Sequence, residues 1–239
     1  MSAWRDERNR RSLERLRRAI PRDFPAPVLH HALTRPFVPP TPRRAVESYW
    51  RAHPLRADRL ARGLARISGP PSGWSWAIDG TRDAGLPARF RTPPAPYREA
   101  AHARGPGHCC ICGQPVFRLG WHRDLWSDGK PNRNAGWHSA CVAAWRFWCD
   151  PTPHIQVLKR RQGRRCAETG ARLLKGSEID HREPLFRIWR GRGDLAWPGL
   201  LAYWSPENLQ VINRDAHRAK CAREAGSRAR VAPAAPPPI

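Results

Sequence analysis

The chain has 239 residues with 43 Lys and Arg against 20 Asp and Glu, a formal charge of +23, 26 prolines and a mean hydropathy of −0.69. Such a composition argues against one core packed continuously from end to end, and no run of about eighteen apolar residues exists to cross a membrane as a helix. Seven cysteines, an odd number, argue against a framework of disulfides.

Trp4 to Ile20 reads as a short basic helix, with Leu13, Leu16 and Ile20 forming a narrow apolar stripe and Pro21 closing it. The same segment, Met1 to Arg22, carries neither a hydrophobic run nor a small-residue cleavage site, so a soluble, cytoplasmic protein is expected. Seven prolines between residues 21 and 42 predict an extended linker or wrapping arm. A second helical pattern spans Arg43 to Ile67, anchored by Val46, Trp50, Leu60 and Leu64 and broken at His53-Pro54, and it could pack on a downstream core. Residues 68 to 107 return to Gly, Pro and Arg with isolated aromatics at Trp74, Trp76 and Phe90.

Charge is unevenly spread. Residues 1 to 105 carry 21 basic and 9 acidic side chains, residues 106 to 165 carry 10 and 3, and residues 166 to 239 carry 12 and 8. Most of the attraction for a polyanion therefore comes from upstream, and the excess of arginine, whose planar fork matches phosphate, makes nucleic acid the expected polyanion. An excess of Arg, Ala and Pro can also follow from genome composition alone.

Cys109-x-x-Cys112-Gly113 forms a knuckle, and His138-x-x-Cys141 repeats the spacing 25 residues later. The turn in the first pair lets both sulfurs face one ion, and the second pair falls on the first turn of a helix predicted over His138 to Trp148. The pattern resembles a treble-clef or related zinc knuckle of Cys3His type covering Gly107 to Asp150. Four protein ligands leave no open position, so this zinc is expected to be structural, with Trp137, Trp145, Phe147 and Trp148 as its small core. Cys110 and His108 are neighbouring substitutes within the first pair.

Further on, Arg165 to Leu174 reads as a hairpin turning near Thr169-Gly170, followed by a strand at Ser177 to His181 halted by Pro184. A short amphipathic piece, Leu185 to Trp189, precedes a Gly-rich loop and aromatics at Trp197, Tyr203 and Trp204. Leu209 to Ile212 is the next strand, and Asn213 or Asp215 caps a helix running to about Arg228 that places His217, Lys220, Cys221 and Glu224 on one face. An imidazole beside an Asp/His pair can supply a general base next to a divalent metal, which is the equipment for phosphodiester hydrolysis.

The order Ile179-Asp-His-Arg-Glu-Pro-Leu185, Glu207-Asn-Leu-Gln210 and Asp215-Ala-His-Arg-Ala-Lys220 resembles the HNH endonuclease family and its ββα-metal fold, from about residue 160 to 228. The resemblance implies His181 as the general base and Asp180 and His217 as ligands of one catalytic ion, Mg²⁺, Mn²⁺ or Ni²⁺. It implies that Asn208 supports catalysis, either by bracing the loop around the base or by joining the metal shell. Lys220, Arg182, Arg160 and Arg161 are the candidate nucleic-acid contacts, although Lys220 could equally stay on a solvated helix face. Many family members also carry a zinc on two Cys-x-x-Cys knuckles in the core. Here those positions read Cys166-x-x-Thr169 and Asn213-x-x-Ala216, so that core zinc is expected to be missing, with Cys166 and Cys221 as ordinary buried thiols.

The expectation is an α+β chain in four parts: a basic Pro/Arg-rich region with short helices (1–105), a zinc module (106–152), an HNH domain (153–228) and a Pro/Ala-rich disordered tail (229–239). The activity implied is metal-dependent cleavage of DNA, although the site residues do not distinguish RNA. The competing expectation is an inactive, zinc-stabilised nucleic-acid-binding protein. Because adjacent strand residues point to opposite faces, Asp180 and His181 can share one site only if the strand distorts there, by a bulge or by ending before Pro184.

Overall fold

A computed structural model describes residues 43–68, 81–82, 86–87, 91–93, 107–119, 122–124, 134–191 and 197–230. The expected helix at Trp4 to Ile20, the proline-rich arm, Trp74, Trp76, Phe90 and residues 231–239 lie outside them. The described elements are mixed helix and short antiparallel pairs, an α+β composition in which β1 (Thr81–Arg82) pairs with β2 (Leu86–Pro87) and β3 (Phe117–Leu119) with β4 (His122–Asp124). None of the helices is long and apolar enough to cross a membrane.

The chain divides into two compact units: Met1–Ser75, Pro94–Trp148 and Ala196–Leu201 form one, and Trp76–Pro93, Cys149–Leu195 and Ala202–Ile239 the other. In the first, helices α1 (Arg43–Ala52) and α2 (Pro54–Ser68) meet at His53, whose ring Nδ1 lies 2.7 Å from the Tyr49 carbonyl. Pro54 opens α2 at a position where a helix loses no hydrogen bond to proline. Trp50, Leu60 and Leu64 are buried as their spacing requires; the Val46 side chain lies outside the described residues.

The zinc-knuckle sequence folds within this same unit. Trp148, near the end of α3 (Ser139–Cys149), donates its indole N–H to Asp58 of α2 at 2.9 Å, and Gln114 reaches the Leu64 carbonyl at 3.4 Å. Asp58 is also gripped bidentately by Arg62, at 3.1 and 3.0 Å, with both residues buried. Burying this charge pair is tolerable because carboxylate, guanidinium and indole satisfy one another.

In the second unit, β5 (Glu178–His181) pairs antiparallel with β6 (Leu209–Ile212), with Glu178 opposite Ile212, Ile179 opposite Val211, Asp180 opposite Gln210 and His181 opposite Leu209. Helix α7 (Arg214–Arg230) follows after a single residue and packs on β5, giving the expected ββα order. Between the strands in sequence come α5 (Leu185–Gly191) and α6 (Trp197–Trp204). Leu185, Ile188, Trp189 and Trp204 are buried, and the Trp189 and Trp204 rings meet edge-on at 6.1 Å. Helix α4 (Ile155–Arg161) packs against β6. Just beyond it, the Gln162 amide accepts from the Val211 N–H at 2.9 Å and donates to the Val211 carbonyl at 2.7 Å, acting as a strand partner made of a side chain.

Candidate metal centres

The ligand atoms of Cys109, Cys112, His138 and Cys141 all lie within 4.8 Å of one another, and all four residues are buried. His138 Nδ1 is 3.4 Å from Cys112 Sγ and 3.7 Å from Cys141 Sγ. A tetrahedron with metal bonds of 2.0 to 2.3 Å has edges of roughly 3.5 to 3.8 Å, so the donor set fits zinc in spacing and in chemistry. The other ring nitrogen, Nε2, lies 2.9 Å from the Pro115 carbonyl and must carry the proton, because a carbonyl only accepts; this leaves the Nδ1 lone pair for an ion.

The local backbone explains how the sulfurs converge. Gly113 adopts φ +70°, a left-handed conformation suited to glycine, and its N–H closes the knuckle on the Cys109 carbonyl at 2.8 Å. The Cys110 N–H bonds the Gly136 carbonyl at 2.8 Å, joining the first ligand pair to the approach of the second. Cys110 and His108 stand outside the ligand group, which resolves the first pair as Cys109 and Cys112. Burial drives the Cys141 thiol well above its ordinary range, and hydrogen bonds with Cys109 and Cys112 push it further. At Cys141 a proton and a divalent cation therefore compete for the sulfur. The expected aromatic core is found in Phe147 and Trp148, while Trp137 departs from it at 38% exposed.

Among the described residues this is the only cluster of three or more His, Cys, Asp or Glu side chains arranged to hold a metal. The turn Cys166-x-x-Thr169-Gly170 nevertheless copies the zinc knuckle: Gly170 has φ +70°, and its N–H bonds the Cys166 carbonyl at 2.8 Å. Asn213 ties this turn to β6, accepting from the Leu174 N–H at 2.9 Å and donating to the Arg172 carbonyl at 3.1 Å. An amide thus crosslinks a knuckle where a metal is not expected. Cys166 is buried, but Cys221 is exposed, contrary to expectation.

Of the side chains singled out in the second unit, Asp180, His217 and Lys220 come together around the start of α7. Glu178 and Asp180, two apart on β5, face the helix by strand alternation, and His217 lies between them. Its Nδ1 contacts Glu178 Oε2, and its Nε2 is 3.9 Å from Asp180 Oδ1. Asp180 Oδ2 accepts from Gln210 at 2.9 Å and from the Lys220 ammonium. Lys220 also bonds the His181 carbonyl at 2.6 Å and Glu224 at 2.8 Å. Its charge is therefore turned inward and buried, away from the solvated face. Desolvation pulls the Lys220 pKa down, but Asp180 and Glu224 together hold it above its ordinary value.

Asn208 braces the chain after the strand. Its side-chain oxygen accepts from the Glu183 N–H at 2.8 Å, its amide donates to the Glu183 and Tyr203 carbonyls at 2.9 Å each, and its backbone oxygen accepts from Arg182 N–H at 2.7 Å. Arg160, Arg161 and Arg182 are exposed.

His181 departs from the expected geometry. The strand does end before Pro184, at His181, but its four consecutive pairings leave no room for a bulge, so within that pairing Asp180 and His181 alternate to opposite faces. Lys220 explains the regularity, because it fastens the Asp180 side chain and the His181 carbonyl at once. The His181 Nε2 atom is buried without a hydrogen-bond partner among the described residues. Desolvation lowers its pKa to about 4; Asp180 opposes the shift, while Lys220 and Arg91 add to it. Sequence reasoning missed Glu178 and Gln210. The strand period contained the signal for Glu178, since a residue two before Asp180 shares its face, but Gln210 required the cross-strand register. Comparisons with family models, with curated proteins and with solved structures find no match for this chain.

Proposed function

We propose that the chain is a metal-dependent HNH-type endonuclease that hydrolyses phosphodiester bonds of DNA. The observation that carries this reading is the 3.9 Å gap between Asp180 Oδ1 and His217 Nε2, on a ββα unit whose other parts are His181 and the brace Asn208. In this reading, Asp180 and His217 hold one Mg²⁺, Mn²⁺ or Ni²⁺, which when bound neutralises charge on the phosphate and on the departing oxygen. Within the protein, Asp180 offers Oδ1 because Lys220 and Gln210 occupy Oδ2. Asn208 fixes the backbone at Glu183, limiting the freedom of the segment that follows the base.

His181 takes the proton from water as the water oxygen bonds to phosphorus and the bond to the 3′ oxygen breaks, giving 5′-phosphate and, after protonation from solvent, 3′-hydroxyl ends. An imidazole with a pKa of about 4 is neutral at pH 7, so it can accept a proton once its buried Nε2 is opened to water. Exposed Arg160, Arg161 and Arg182 supply contacts to phosphate.

One observation favours a second reading, a non-catalytic nucleic-acid-binding protein: Lys220 already gives Asp180 a cation, and a regular strand turns His181 from Asp180. Purified protein incubated with supercoiled plasmid and Mg²⁺ or Mn²⁺ decides between them. The nuclease reading expects nicked and linear products from the wild type, and none from His181→Ala, which still retards DNA in a gel. Retardation without cleavage by the wild type establishes the binder, and undiminished cleavage by His181→Ala removes His181 as the base.

A further inference from the structure

We infer that Glu178 is a positioning residue that fixes the tautomer of His217, keeping the proton on Nδ1 and presenting the Nε2 lone pair to Asp180. The use of that lone pair for a catalytic ion rests on the nuclease reading; the tautomer does not.

The argument begins with what a carboxylate can do. Glu178 Oε2 contacts His217 Nδ1, and an ionised carboxylate only accepts, so Nδ1 must carry the hydrogen. A neutral imidazole has one ring proton, which leaves Nε2 as a bare acceptor. At 3.9 Å from Asp180 Oδ1, Nε2 makes no hydrogen bond there that would compete with Glu178 for the single proton of the neutral ring.

The supporting groups are themselves tethered. The other oxygen of Glu178 takes Arg214 Nε at 3.2 Å, and its backbone is fixed opposite Ile212 in the sheet. Lys220 and Gln210 hold the far oxygen of Asp180. The result is a lone pair and a carboxylate oxygen facing one another across a gap that two metal bonds of about 2.1 Å each can span. The same logic recurs at His138, where the Pro115 carbonyl takes the opposite nitrogen and frees Nδ1. The two histidines thus present opposite nitrogens, each chosen by its hydrogen-bond partner.

The test is nitrogen-15 NMR of the full zinc-loaded chain at pH 8 without other divalent ions, with His217 assigned by comparison with His217→Gln. The expected result is the Nδ1–H tautomer in the wild type, relaxing toward Nε2–H in Glu178→Ala. A wild-type His217 protonated at Nε2 overturns the inference whether or not the variant folds, as does a folded Glu178→Ala with its tautomer unchanged. Mn²⁺ titration followed by electron paramagnetic resonance adds a second readout, in which Glu178→Ala binds about 10- to 100-fold more weakly. If the wild type binds no Mn²⁺ beyond its structural site yet shows the expected tautomer, the nuclease reading fails and the role of Glu178 stands. If the wild type binds Mn²⁺ and Glu178→Ala binds it equally, the positioning role fails and the nuclease reading stands.

Discussion

Lys220 holds Asp180 from the inside of the ββα unit: its ammonium sits on Oδ2 of the carboxylate and on the carbonyl of the next residue, with the lysine side chain 9% exposed. Breaking a buried pair by removing one partner costs about 3 to 5 kcal/mol, because the other charge is left uncompensated. Gln210 remains as a donor to Asp180, so Lys220→Met is expected at the low end, near 3 kcal/mol, in urea unfolding. A lysine that served only as a phosphate contact would behave otherwise, with stability unchanged and the salt dependence of DNA binding reduced by about one counterion. The pair of measurements separates the two roles.

At the Cys3His group the prediction concerns stoichiometry. Metal analysis of the purified chain should find one zinc, which Cys112→Ser and Cys141→Ser lose and which Cys110→Ser and His108→Ala keep. The contrast follows from the placement of the four buried ligands, with Cys110 and His108 outside them. Chelation should then lower the thermal midpoint and shift tryptophan fluorescence, since Trp148 is buried on the helix that carries Cys141. Full zinc retention by Cys112→Ser would falsify the assignment.

Covalent spacing made much of this legible. Two Cys-x-x-Cys-like pairs can bring four donors to one point, and the ligand group was readable because the chemistry admits few alternatives. The two short strands were readable for a similar reason, since apolar alternation and Pro184 mark their ends, and the last helix does begin just after Asn213, although the Asn213 side chain is spent on Leu174 and Arg172 instead of on a cap. What escaped was set by register and by packing. Gln210 meets Asp180 only because β5 and β6 pair without a bulge, a feature that alternation in either strand leaves open. Lys220 looked like a solvated or phosphate-binding cation because a helix face does not reveal which of its charges meets acidic partners in the fold. The place of α1 and α2 in the same compact unit as the zinc knuckle depends on contacts such as Asp58 with Trp148, ninety residues apart.

That contact yields a prediction of its own. Asp58→Ala removes the carboxylate that meets the buried Arg62 guanidinium through two hydrogen bonds and removes the indole acceptor, so a loss of about 3 to 5 kcal/mol is expected by chemical denaturation. Trp148→Phe removes one donor while Arg62 continues to satisfy the carboxylate, and should cost less, about 1 to 3 kcal/mol including the lost volume. Replacing Asp58 and Arg62 together by Leu and Met should recover most of the Asp58→Ala loss, because an apolar pair has no charge to desolvate. A double variant no more stable than Asp58→Ala would show that the site needs its polar network for reasons beyond charge compensation.

The acid limb of the stability curve provides a test at His181. Its pKa is about 4 in the folded protein, below the ordinary value of 6.5, chiefly through desolvation. Between those two values the unfolded chain binds the proton and the folded chain does not, so stability rises with pH through that window. The contribution is fully present above about pH 6.5 and is lost progressively as pH falls toward 4, by on the order of 3 kcal/mol. Replacing His181 by Asn, which does not titrate, should flatten the difference in unfolding free energy between pH 7 and pH 4.5 relative to the wild type. The imidazole resonances of His181 should correspondingly titrate near pH 4; a midpoint at 6 or above would mean that the ring is solvated in the folded protein.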